Sequence, residues 1–203
     1  MYKSYNYLDP DYTYIDKETG ILRNLADITD PDALLFFESG AVTKRIQELY
    51  ENPIKIKNIK SLFAIHQHLF QDIYSWAGEK RIVEINKAGK QFFPTIYFEN
   101  AFQFIDSLIS DYKKISKNDK HKIAEQLAKI LDNVNYLHPF REGNGRAQRE
   151  FLRLLALEKG LALNLNPPDN KKVYELYMQG TINSDVKALE KLILELIKNK
   201  NSL

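Results

Sequence analysis

The sequence predicts a mostly α-helical domain interrupted by one β-hairpin. Three observations lead there. Beyond residue 30, apolar residues recur mostly at three-, four- and seven-residue steps, the period of helices with one buried face. The stretch 80–94 breaks that period with alternating β-branched residues around a glycine turn. No internal repeat or low-complexity linker divides the 203 residues, 44 % of them hydrophobic, so one domain spanning 1–203 is expected.

The elements follow in order. Residues 1–28 are rich in Tyr, Asp and Asn and read as an irregular N-terminal arm. Asp30-Pro31 is an N-cap followed by a first-turn proline, opening a helix to about Tyr50. A second helix starts near Asn58, buries Leu62, Phe63, Leu69, Phe70, Ile73 and Trp76, and stops at Gly78. The hairpin follows: Arg81–Ile85 alternates, Asn86–Lys90 turns at Gly89, Gln91–Phe93 resumes, and Pro94 ends pairing. Helices are expected over Phe98–Ile115, Asp119–Leu137, Gly143–Gly160, a shorter stretch after Asp169, and Ser184–Lys198. Lys198-Asn199-Lys200-Asn201 reads as a fraying tail.

Composition removes several classes of function. The net charge of +2 gives no basic excess for a dedicated nucleic-acid binder. With no cysteine, disulfides and thiolate metal sites are excluded. No apolar run suits a signal peptide or a bilayer span, so a cytoplasmic protein without a membrane partner is expected.

The chemistry concentrates between Leu137 and Arg149. An apolar helix ends at His138-Pro139, and a loop with Gly143 and Gly145 opens the next helix. Glycines let backbone approach a ligand, and amides at a helix start favour an anion. Arg146 and Arg149, three apart, share one face and suit phosphate oxygens. Glu142 beside a polyphosphate calls for an intervening cation such as Mg²⁺. His138 has the basicity to accept a proton from a hydroxyl. Together they describe transfer of a phosphorus-centred group from a nucleotide to a hydroxyl. Each feature alone has a plainer reading: a helix cap, a turn, a solvated helix face. A zinc site at His138 and Glu142 is the weaker alternative, because only two ligands are present. His66 and His68 fall on different faces of the second helix, one expected partly buried and one solvated; His121 is expected exposed and Trp76 in the core.

Residues 138–149 match the Fic family signature, His-Pro-Phe-x-(Asp/Glu)-Gly-Asn-Gly-Arg-x-x-Arg, at every defined position. Ser75–Arg81 and the following hairpin resemble the family's approach to its "flap", and Asp9–Tyr14 with Leu22-Arg23-Asn24 resemble bacterial cell filamentation proteins. The resemblance implies an all-α fold with one hairpin flap. It implies a protein adenylyltransferase that moves AMP from ATP to a Tyr, Thr or Ser hydroxyl, with ATP and Mg²⁺ bound. His138 would be the general base and Glu142 the metal ligand. Gly143, Asn144 and Gly145 would cradle the phosphates, with the Asn144 side chain touching them. Arg146 and Arg149 would hold the outer phosphates. Lys90, Gln91, Phe92 and Phe93 would pair with an extended segment of the target protein. Tyr177 and Met178 are candidates for contact with the base, with core packing at least as good a reading. Alternatives are transfer of another group, such as UMP, by the same fold, and a silent protein-binding module.

The family's inhibitory pattern, (Ser/Thr)-x-x-x-Glu-(Gly/Asn), occurs at Thr95–Asn100, directly after the flap, where the family does not place it. Glu51-Asn52 is preceded by Gln47 where Ser or Thr is expected. Inhibition by a separate small antitoxin-like chain, or by self-association, is therefore expected. A homodimer through the hairpin edge and a toxin-like role complete the expectations.

Overall fold

The computed structural model describes residues 6, 7, 9, 11–87 and 89–199. Seven α-helices lie among the described residues: α1 Pro31–Glu51, α2 Lys60–Phe70, α3 Phe98–Lys114, α4 Lys120–Leu137, α5 Asn144–Glu158, α6 Lys171–Asn183 and α7 Val186–Leu196. A 3-10 turn at Thr95–Tyr97 leads into α3. The fold is helical, as the periodicity predicts. Asp30, Asp119 and Asp185 cap α1, α4 and α7 by accepting amides of Ala33, Lys122 and Ala188.

The core is built around α4 and α5. Ile123, Leu127, Ile130, Leu131 and Val134 of α4 are buried, as are Phe151, Leu152, Leu154 and Leu155 of α5. Each such side chain contributes about 1.5–3 kcal/mol by leaving water. Helices α3, α5 and α7 pack on α4, and α2 packs on α5 and α1. The α4–α5 junction, which carries the signature, is thus a central joint of the fold.

Three expectations are corrected. First, α2 ends at Phe70, eight residues before Gly78. The chain then doubles back through tight turns, and Gly78 N–H donates to His66 Nδ1 at 2.9 Å. At φ +80° and with a Cβ that would stand 2.7 Å from Gln67 Cβ, residue 78 must be glycine. It lets the return segment lie against α2 rather than stopping the helix.

Second, the hairpin is short. It comprises β2 Ile85–Lys87 and β3 Lys90–Gln91, paired Asn86↔Gln91 and Lys87↔Lys90. A two-residue strand Asn6–Tyr7 (β1) covers the other edge of β2, so the sheet order is β1-β2-β3. That strand belongs to the arm read as irregular; two residues in a polar, tyrosine-rich stretch show no alternation. Residues 1–5, 8 and 10 of the arm, and Ala88 of the turn, lie outside the described residues. The remaining arm folds back at Asp16–Leu22 and sets Tyr14 edge-on against Trp76, 5.5 Å between centroids. Third, Lys198–Asn199 (β5) is not fraying. It pairs antiparallel with Leu161–Ala162 (β4); residues 200 and 201 lie outside the described residues.

No described helix is long and apolar enough to cross a membrane.

Candidate active site at the α4–α5 junction

His138 is the C-cap of α4, and its backbone is left-handed at φ 44°. That conformation is uncommon outside glycine, so surrounding bonds must hold it. Its amide donates to Val134 O at 3.1 Å. Its carbonyl accepts from Arg81 Nε at 2.8 Å. The ring is buried, stacked on Phe92 at 3.7 Å between centroids, with Nδ1 3.1 Å from Asn135 O. A carbonyl only accepts, so Nδ1 is assigned the proton and Nε2 keeps its lone pair. Burial pushes the His138 pKa down to about 3, with Arg81 and Lys87 adding to the depression against the bond to Asn135. The imidazole is therefore neutral at pH 7, the state a general base needs.

The loop from His138 to Gly143 is fastened from inside. Asn144 Oδ1 accepts from Phe140 N at 2.9 Å, and Asn144 Nδ2 donates to Phe140 O at 2.7 Å. The Asn144 side chain, expected at the phosphates, here closes the loop through these two bonds, which use one of the two Nδ2 hydrogens. His66, two helices back in sequence, pins the same loop. Its Nδ1 accepts from Gly78, so Nε2 carries the proton and donates to Glu142 O at 3.0 Å. His66 is fully buried, not partly; its ring stacks on Phe140, and burial lowers its pKa to about 3. Gly143 stands at φ +79° as N-cap of α5, where a Cβ would meet the Phe70 ring at 2.3 Å. Asn144 and Gly145 begin α5, and their amides have no acceptor within the helix.

The two arginines separate. Arg146 lies 4.7 Å over the Phe70 ring and pairs with Glu38 Oε1 at 2.5 Å and Glu142 Oε1 at 3.6 Å. Glu38, buried on α1, also accepts from Tyr74 OH. The Arg146 charge is thus engaged by two carboxylates, with the side chain 24 % exposed. Arg149 makes no ion pair with a carboxylate among the described residues. It lies 5.5 and 5.7 Å from the Tyr174 and Tyr177 ring centroids, against Gly145.

Glu142 Oε1 accepts from Gly143 N at 2.9 Å, and the side chain is 28 % exposed. No cluster of three or more His, Cys, Asp or Glu able to hold a metal exists among the described residues. A cation at Glu142 would therefore draw its other ligands from phosphate oxygens and water, which suits Mg²⁺.

The hairpin residues surround the same joint. Phe92 covers the His138 ring. Phe93 N donates to Tyr136 O at 2.9 Å. Lys90 Nζ reaches Ile182 O at 2.9 Å and Ser184 Oγ at 3.2 Å. Gln91 is exposed on the outer strand. Tyr177 is buried with its hydroxyl on Gln148, so core packing is its role, while Met178 is partly exposed. His121 is exposed and Trp76 buried, as expected; His68 is part-buried, with Nε2 3.0 Å from Arg45 O. Glu99 is exposed and meets Lys80 at 3.5 Å, and Glu51 is exposed at the end of α1. Neither reaches Arg149.

Sequence reasoning missed Glu38, His66 and Arg81. For Glu38 a signal existed: Leu34, Glu38 and Val42 sit at four-residue steps on the buried face of α1. A carboxylate in such a stripe demands a buried partner. His66 likewise sits among the buried Leu62, Ile65 and Leu69 of α2.

The Fic/DOC family model matches residues 57–156. The chain is 35 % identical over 148 residues to protein adenylyltransferase VbhT of Bartonella schoenbuchensis, covering 72 % of this chain but only 31 % of that protein. It is 31 % identical over 156 residues to probable protein adenylyltransferase y4lH of Sinorhizobium fredii, covering 76 % of this chain and 80 % of that protein. Among solved structures, the BepC protein of Bartonella tribocorum with bound AMPPNP superposes with a TM-score of 0.79 at 20 % identity, over 93 % of this chain and 97 % of that one. That likeness is one of fold.

Proposed function

The chain belongs to the Fic/DOC family, and from that premise we propose that it is a protein adenylyltransferase moving AMP from ATP to a Tyr, Thr or Ser hydroxyl of another protein. The observation that carries this reading is a buried, neutral His138 whose Nδ1 contact to Asn135 O assigns the lone pair to Nε2, at one end of a short loop whose other end opens α5 with amides that have no acceptor within the helix.

The steps follow from the residues. The triphosphate lies at the start of α5, where the amides of Asn144 and Gly145 and the Arg149 guanidinium meet anionic oxygens. Glu142 would hold Mg²⁺, which when bound would supply charge neutralisation for the phosphates. The target segment pairs with the open edge of β3 and brings its hydroxyl to His138. Nε2 accepts the hydroxyl proton as the oxygen attacks the α-phosphorus. The bond from that phosphorus to the β-phosphate bridging oxygen breaks, and pyrophosphate leaves. Arg146, engaged by Glu38 and Glu142, orients the Glu142 carboxylate in this scheme.

Regulation is part of the proposal. Arg149 pairs with no carboxylate among the described residues, and Glu51 and Glu99 lie elsewhere. A separate chain that offers a glutamate to Arg149 would silence the enzyme.

The test is incubation with ATP labelled at the α-phosphate, Mg²⁺ and bacterial lysate. Label enters protein bands with the wild type and falls at least about 100-fold with His138→Ala, the scale of general-base catalysis. Labelling that survives His138→Ala, or that occurs only with γ-labelled ATP, would overturn the proposal.

A further inference from the structure

Arg81 is a fully buried arginine that the scheme above leaves unused. Its relative exposure is 1 %, and its bonds join two parts of the site. Toward the active-site loop, Nε donates to His138 O at 2.8 Å and the backbone N–H donates to Pro139 O at 2.7 Å. Toward the hairpin, Nη1 donates to Val83 O at 2.7 Å and Nη2 to Phe93 O at 2.6 Å. Val83 and Phe93 are the two legs from which the flap rises. Its only carboxylate partner among the described residues is Glu84, 3.3 Å away and half exposed.

The expense of this arrangement argues for a purpose. Burial lowers the Arg81 pKa, so the charge is held against a desolvation penalty. Three backbone carbonyls from two distant segments are collected by one planar fork. Lysine has one point-like ammonium and cannot span them in fixed geometry. One of those carbonyls belongs to His138, whose left-handed backbone needs support.

We infer that Arg81 is a positioning residue that locks the flap to the His138 backbone, so that a target strand docked on the flap delivers its hydroxyl in register with His138 Nε2. This rests on the adenylyltransferase reading. A displacement near 1 Å between reacting groups costs about 100-fold in rate. Loss of the fork therefore lowers the transfer step and leaves nucleotide binding at the start of α5 alone.

The experiment compares wild type, Arg81→Lys and Arg81→Gly. Active sites are counted by stoichiometric ATP binding, and the turnover number is expressed per ATP-binding site, so a partly unfolded sample does not mimic the effect. The expected result is an ATP Kd within about twofold of wild type and a per-site turnover about 100-fold lower in both variants. Millimolar guanidinium restores part of the Arg81→Gly activity and none of the Arg81→Lys activity. Per-site turnover within about threefold of wild type, or a loss tracking only the number of binding sites, overturns the inference. If Arg81→Gly does not fold, Arg81→Lys, which keeps stem and charge, decides the matter alone. A wild type that transfers no AMP to any protein would instead sink the adenylyltransferase reading and is seen before any variant is made.

Discussion

The active-site loop and the flap lie side by side yet are fastened by different means. The loop 138–143 is cross-tied by the Asn144 amide, by His66 on the Glu142 carbonyl and by Arg81 on the His138 carbonyl. The flap tip has two short strands, an exposed lysine contact at Lys90 and β3 as the edge strand of the sheet. The difference assigns rigidity to the end that must hold reacting atoms, and openness to the end that must admit another protein. Two glycines make the contrast measurable. Gly143 in the loop and Gly89 in the flap have nearly the same φ, +79° and +80°. A Cβ on Gly143 meets the Phe70 ring at 2.3 Å, whereas one on Gly89 meets nothing within 4 Å. Left-handed backbone costs an alanine about 1–2 kcal/mol at either place. Overpacking adds about 1–3 kcal/mol at Gly143 alone. Gly143→Ala should thus lose about 3 kcal/mol in denaturant unfolding and all transfer, while Gly89→Ala loses about 1 kcal/mol and keeps ATP binding. Equal losses would break the comparison.

A pH titration of stability sharpens it next. His66 and His138 both serve the loop, and both have pKa values lowered by burial to about 3. In the unfolded chain each returns to about 6.5. Between those values the unfolded state binds the extra protons, so stability present above pH 6.5 is lost as pH falls toward the folded pKa. Each histidine removes about 1.4 kcal/mol per pH unit well inside that window. Measured between pH 6.5 and 5, the two histidines should together contribute a slope approaching two protons, against which the raised pKa values of the buried Glu150 and the part-buried Asp132 act. His66→Gln should reduce the slope by about one proton. An unchanged slope in His66→Gln would mean that His66 does not hold the loop as a buried neutral group. The flap tip has no buried histidine and contributes nothing to this slope.

These regions also differ in how far the sequence reveals them. The helices, the hairpin and the signature residues are carried by local patterns: periodicity, caps, glycine spacing. The ties that fasten the loop are not local. Arg81 reaches His138 across 57 positions, and His66 reaches Glu142 across 76. No spacing rule announces such contacts. The Asn144 side chain is a local case of the same kind: its position is plain in the sequence, but its two bonds to Phe140, four residues back, are not. Arg146 and Arg149 look equivalent in sequence, and a buried glutamate 108 positions from the first of them decides that only the second stays clear of carboxylates. Glu38 itself was legible as a charge in an apolar stripe; its partner was not.

The smallest effect is expected at Lys90, and it tests the flap side of the contrast. Lys90 Nζ rests on Ile182 O and Ser184 Oγ at the end of α6, a site where helix carbonyls favour a cation. The contact is exposed, so its removal by Lys90→Ala changes stability by no more than about 0.5 kcal/mol. Loosening the flap tip without disturbing Arg81 leaves the His138 backbone in place. The KM for a protein target should therefore rise about threefold, the scale of a lost contact worth under 1 kcal/mol, with turnover and ATP Kd unchanged. A fall in turnover as large as that of Arg81→Lys would mean that register is set at the flap tip rather than at its base. A KM effect alone places the register at Arg81 and leaves the tip to set how readily the target strand docks.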